Sequence, residues 1–220
     1  MKKMLLIITI LLGLNCYTQT NVITNNKLII NHGDVTLYLS DDTSTMVSKH
    51  VLSYSNYKKL KTVPRDNHWF KDTYDNGKSD KKAYVNSGYD LGHLTPSDIT
   101  SYDAETNHSS FSLFNQAPQL AHFNEHPWEQ LEMHVEDSIG KYKEDVVIIT
   151  GVIYDYNSST PHDFLYKSRV RIPIAYYKIL VLKTKTYCWV GSNNNESILP
   201  TTISELNKMF KINKMTLTIN

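Results

Sequence analysis

The chain has 220 residues, 40% of them hydrophobic, which suits one domain with a sizeable core and leaves little room for a second. No internal repeat, low-complexity tract or Pro/Gly-rich linker divides it. The formal net charge of +1 excludes the overall basic excess common among nucleic-acid binders, so any phosphate-binding surface must come from uneven distribution of charge.

Residues 1–19 read as a signal peptide. Lys2 and Lys3 form a short basic region, and residues 4–14 form an apolar run too short to span a bilayer. The polar residues 15–20 can hold a cleavage site, with an uncleaved anchor as the alternative; Asn15 is a poor neighbour for a lipidated Cys16. Export predicts a secreted or periplasmic protein of residues 20–220. Losing Lys2 and Lys3 takes the net charge from +1 to −1 and leaves Cys188 as the sole cysteine, so no internal disulfide forms. Cys188 falls in a strand-like run, 186–190, where a buried thiol is expected.

After a polar lead-in over 20–27, residues 28–33 and 35–39 read as strands around a turn, and 46–54 as a Val/Ser-rich strand. Residues 65–82 are polar and irregular, with Asn76-Gly77 as a turn signal. Residues 110–115 alternate polar and apolar and predict a strand. A helix follows, with Trp128, Leu131, Val135 and Ile139 as its apolar stripe and Pro127 in its first turn. Residues 146–149 predict a buried strand ending at Thr150-Gly151. Residues 170–182 predict another, or a pair around Pro173. Residues 201–210 predict a last helix with Ile203, Leu206 and Phe210 on one face. The class is α+β: a mixed, mostly antiparallel sheet flanked by helices.

Three segments carry chemistry: Gly88-Tyr89-Asp90-Leu91-Gly92-His93-Leu94-Thr95-Pro96, Phe114-Asn115-Gln116-Ala117-Pro118-Gln119, and residues 123–132. In the first, a strand-like entry and a glycine that relaxes the backbone lead to a histidine, which can take a proton from water near neutral pH. In the third, Asn124, Trp128 and Glu132 are four residues apart and run along one side of a helix. An amide oxygen plus waters suits Mg²⁺, a hard cation that keeps much of its hydration. His122, His126 and His134 lack a carboxylate or cysteine at zinc spacing. Each residue also has a plainer reading: His93 as a bonded core histidine, Asn124 as an N-cap, Glu132 as an exposed helix carboxylate, Arg65 as a surface arginine.

This ordered set resembles the DNA/RNA non-specific endonucleases, the family of secreted bacterial nucleases and mitochondrial endonuclease G. Its Asp-Arg-Gly-His signature appears as Asp90-Leu91-Gly92-His93, followed by residues 115–119, then Asn124, Trp128 and Leu131-Glu132. Residues 147–151 resemble the family strand ending in Thr-Gly, and residues 172–178 its Pro-x-x-Tyr-Tyr-Lys strand. The resemblance implies a ββα-metal active site in which a hairpin carries His93 as general base and the next helix carries Asn124 as ligand to Mg²⁺ (or Mn²⁺). Glu132 would orient metal-bound water, and Arg65, in Pro64-Arg65-Asp66-Asn67-His68-Trp69, would clamp phosphate. The substrates implied are DNA and RNA, cut with little sequence specificity to leave 5′ phosphates. Two cations of the pattern are missing: Leu91 stands at the signature arginine, and Glu136 falls where a basic residue is common. Lys71, Lys81 and Lys82 are candidate substitutes. The departures leave two rivals: a catalytically weakened nucleic-acid-binding module, and a phosphodiesterase for a smaller substrate.

Overall fold

A computed structural model describes residues 22–24, 28–39, 45–72, 80–157, 160–194, 197–210 and 215–217. The export segment with Cys16, and the Asn76-Gly77 turn, lie outside the described residues. The chain begins with β1 (Val22–Thr24), β2 (Leu28–His32), β3 (Val35–Leu39) and β4 (Thr45–Leu52). A middle section holds α1 (Tyr54–Tyr57), β5 (Tyr89–His93), α2 (Ala104–Ser110), β6 (Gln116–Leu120), α3 (Ala121–Phe123) and α4 (Glu129–Tyr142). Last come β7 (Val146–Ile153), β8 (Ala175–Val181), β9 (Thr186–Ser192), β10 (Ile198–Thr201), α5 (Ile203–Phe210) and β11 (Met215–Leu217).

Seven strands form an antiparallel sheet in the order β10-β9-β8-β7-β4-β3-β2. Two meanders, β2 to β4 and β7 to β10, meet where β4 pairs with β7. Leu52 stands opposite Val146 in that ladder, so residues 53–145 leave the sheet and return at one rung. The excursion carries every candidate catalytic residue. Within it β5 and β6 form a separate antiparallel pair, His93 opposite Gln116. The helical run that starts at Ala121 follows directly.

The core explains how the excursion is held. Tyr176 and Tyr177 are both fully buried and point to opposite faces, as successive strand residues do. Tyr176 packs against Phe123 and Trp128, at ring-centroid distances of 6.0 and 5.4 Å, while Tyr177 meets Phe210 at 4.8 Å. The α4 side of the excursion thus covers one face and α5 the other. The apolar stripe of α4 is buried as its spacing predicts, through Leu131, Val135 and Ile139. Each such side chain contributes about 1.5–3 kcal/mol by leaving water.

Several expectations need correction. Residues 110–115 are not a strand: Ser110 closes α2, and β6 begins only at Gln116. The alternation misleads because polar and apolar members alike are buried, the polar ones bonding backbone. Ser112 Oγ accepts from the Phe114 N–H at 3.0 Å, and Asn115 Nδ2 donates to Ser110 O at 2.7 Å and Thr95 O at 2.8 Å. Pro127 is not in the first turn of its helix. The run begins at Ala121, and Asn124–Trp128 is a π-helical turn that accommodates the proline. The Glu129 N–H reaches back five residues to Asn124 O. The strand expected to end at Gly151 continues to Ile153. The lead-in contains β1, which pairs with β11; a three-residue strand carries no readable period.

Candidate active site

His93 ends β5 with its ring between Trp69 and Phe111, at centroid distances of 4.5 and 5.1 Å. Its Nε2 is buried and has no hydrogen-bond partner. Burial, helped by the Arg65 charge, pushes its pKa down to about 3, so the ring is neutral at ordinary pH. Gly92 serves close approach rather than a special backbone angle, because its φ is not positive. A Cβ there would lie 2.6 Å from the Cβ of Gln119, a fully buried residue of β6.

Asn124 sits inside the helical run, not at its cap. Its Nδ2 donates to Asp90 Oδ2 at 2.9 Å. A carboxylate only accepts, so this bond fixes the amide's orientation and leaves Oδ1 as the atom Asn124 offers elsewhere. Asp90, from the signature on β5, thus reaches across to the metal-ligand candidate.

Glu132 is further along the same helical run, in α4. Its Oε1 accepts from Lys178 Nζ at 3.3 Å. Burial raises the Glu132 carboxyl pKa, and the Lys178 charge opposes that rise. Arg65 donates through Nη1 to Ser97 and through Nε to Asn67 Oδ1 at 2.9 Å, with its guanidinium 5.1 Å from the centre of the Phe111 ring. About half of its side chain remains exposed.

These four residues converge on one polar cavity of about 220 Å³, also lined by Asp98, Glu125 and Glu129. Four carboxylates against one arginine would repel an anionic substrate unless a cation offsets them. The donor set is hard oxygen, without a cysteine, which fits Mg²⁺ or Mn²⁺ better than a softer metal.

Leu91 does not line this cavity. It packs beside Tyr84, Leu165 and Val170 and borders a neighbouring groove edged by Lys71, Lys81 and Lys82. Glu136 faces Lys61, with Lys61 Nζ 3.6 Å from its carboxylate. Arg171 is occupied internally: it donates to Asp155 O at 3.0 Å and lies over the Phe164 and Tyr156 rings.

The sequence profile described as DNA/RNA non-specific endonuclease matches residues 13–218. The chain belongs to that family. Human mitochondrial endonuclease G is 28% identical over 106 residues, covering 46% of this chain and 35% of that protein. A nuclease of Nostoc sp. is 29% identical over 127 residues, 58% of this chain and 40% of that one. A nuclease of Syncephalastrum racemosum is 40% identical over 76 residues, 33% of this chain and 23% of that protein. The matches therefore span well under two thirds of these relatives' lengths. The fold is shared with endonuclease G in the solved complex of EndoG with EndoGI, at TM-score 0.72 and 22% identity over 87% of this chain and 84% of that one. Family members are metal-dependent nucleases, and the cavity at His93 is the candidate site for such chemistry. Two further residues stand outside the cavity but bond its lining, Lys178 to Glu132 and Asp90 to Asn124. Lys178 lay in the Tyr-Tyr-Lys strand and Asp90 in the signature itself.

Proposed function

We propose that the protein hydrolyses phosphodiester bonds of DNA and RNA with little sequence specificity. The observation that carries this reading is the convergence of His93, Asn124, Glu132 and Arg65 on one polar cavity. The neutral ring of His93, with an unpartnered buried Nε2, accepts a proton from the attacking water. Asn124 holds Mg²⁺, or Mn²⁺ in its place, through Oδ1, the amide end that Asp90 leaves available. When bound, the cation supplies positive charge for the phosphate in the transition state. Glu132, with Oε1 engaged by Lys178, offers Oε2 to water in the cavity. Arg65, anchored by Ser97 and Asn67 and half exposed, meets the phosphodiester at the cavity. Contacts to phosphate rather than base edges account for the low sequence specificity. Residues 1–19 act as a signal peptide, and the mature protein works outside the cytoplasm, secreted or periplasmic.

The test is to incubate the purified mature protein with plasmid and with RNA in Mg²⁺ or Mn²⁺, then with chelator. Cutting of both substrates that stops on chelation is expected. Failure to cut either in any divalent metal overturns the reading. A second reading, a weakened member that mainly binds nucleic acid, is favoured by the packing of Leu91 against an apolar cluster outside the cavity and the Lys61–Glu136 pair. It predicts binding without cutting in the same assay.

A further inference from the structure

Lys178 is a lysine with 1% of its surface exposed, in the centre of the seven-stranded sheet. It shares the face of Tyr176, two residues earlier on β8, and so points toward the α4 side. Its Nζ donates to Thr150 Oγ1 at 2.9 Å and to Glu132 Oε1 at 3.3 Å, and it lies 5.0 Å from the centre of the Trp128 ring. Thr150 stands directly opposite Lys178 in the β7–β8 ladder. One ammonium is thus held by two central strands and by the tryptophan that anchors the start of the α4 run. Its only carboxylate partner among the described residues lines the catalytic cavity.

We propose that Lys178 is a positioning residue for phosphodiester hydrolysis, fixing the Glu132 carboxylate so that its second oxygen faces the water of the catalytic cavity. The inference rests on the nuclease reading above and adds to it a residue outside the cavity. A plain structural ion pair has no need of this arrangement, since an apolar pair of similar volume packs a core at least as well. Burial acts on both partners, pushing the Lys178 ammonium down and the Glu132 carboxyl up, and each charge opposes the shift of the other. Glu132 also faces Asp98 across the cavity, whose charge pushes its carboxyl up further. Lys178 is therefore what keeps the Glu132 carboxylate pointed, and its charge opposes the rise that burial imposes.

The experiment compares wild type, Lys178→Met, Glu132→Gln and the double variant. The readouts are kcat and KM on an oligonucleotide, Mn²⁺ affinity by titration calorimetry, and thermal melting. Lys178→Met should lower kcat and Mn²⁺ affinity by about 10–100-fold, as loss of a supporting partner of a metal site typically does, with KM nearly unchanged. In the Glu132→Gln background the same substitution should change neither, because no carboxylate remains to be positioned. A folded Lys178→Met with wild-type kcat and Mn²⁺ affinity overturns the proposal, as does an equal loss in both backgrounds. If Lys178→Met does not fold, Thr150→Val removes the lysine's other anchor. A smaller fall confined to the Glu132 background supports the proposal, and no fall overturns it. If wild type cuts no nucleic acid the nuclease reading fails, while the Mn²⁺ affinities of the same four proteins still decide the role of Lys178.

Discussion

Burial and the nearby Arg65 charge keep the His93 ring unprotonated down to a pH of about 3. Neutral imidazole is the form that accepts a proton, and an incoming phosphodiester anion raises its basicity. His93→Ala should lower kcat by about 10²–10⁴-fold while leaving the circular-dichroism spectrum unchanged. At Leu91 the sign reverses. The side chain borders a groove edged by Lys71, Lys81 and Lys82, so Leu91→Arg adds a cation beside others. It should raise kcat/KM by up to about 10²-fold, the worth of one well-placed donor; no gain in a plasmid-cutting time course would mean that the lysines already fill the role. Asp90→Ala frees the Asn124 amide to turn and should weaken Mn²⁺ binding by about 10–100-fold in a calorimetric titration. His93, Asn124, Glu132 and Arg65, which share the candidate cavity, could be singled out in the sequence because they sit in ordered local motifs. The Lys178–Glu132 pair was not. It joins residues 46 apart, and no local period records a contact made across a sheet.

At the level of elements, the site depends on how closely β5 and β6 approach. The missing side chain at Gly92 is filled by Gln119, so Gly92→Ala must push the hairpin apart. Overpacking of this kind costs about 1–3 kcal/mol, and a chemical denaturation curve should show that loss together with reduced cutting, since His93 is the next residue. Unchanged stability would mean that Gln119 swings away freely. Hydrogen bonds from Asn193 set the hairpin against the sheet. Its Oδ1 accepts from the Leu120 N–H at 3.0 Å, and its Nδ2 donates to Pro118 O and Pro173 O, both at 2.9 Å. The apolar stripe of α4, the first strands and the last helix were readable from spacing, because burial on one face writes a period into the sequence. The π-turn at Asn124–Trp128 and the turn before β6 were not. Their backbones are set by side-chain bonds and by Pro127, and neither leaves a periodic trace.

For the molecule as a whole, the two meanders make a frame and the 53–145 excursion carries the four residues that converge on the candidate site. The frame holds a second buried histidine. His50 Nε2 lies 3.3 Å from Tyr102 Oη, whose O–H donates to Asp34 Oδ2 at 2.7 Å, so Nε2 carries the proton and Nδ1 is left unpartnered. Burial pushes the His50 pKa down to about 3, as for His93. In the unfolded chain both rings take a proton near the ordinary value of 6.5, so between that value and about 3 the unfolded state holds more protons. Stability therefore rises with pH through this window and is lost on acidification, by about 1.4 kcal/mol per pH unit for each ring at full effect. Melting temperature should fall between pH 7 and pH 4, and His50→Gln should make that fall shallower; an equally steep fall would remove His50 from the account. The division of labour between base and ligand is the central claim, and Mn²⁺ calorimetry on His93→Ala and Asn124→Ala, with plasmid cutting measured alongside, tests it most directly. The account predicts that both variants cut at no more than about a hundredth of the wild-type rate, that His93→Ala binds Mn²⁺ like wild type, and that Asn124→Ala does not bind it. Wild-type Mn²⁺ affinity in Asn124→Ala, or full cutting by His93→Ala, would contradict it.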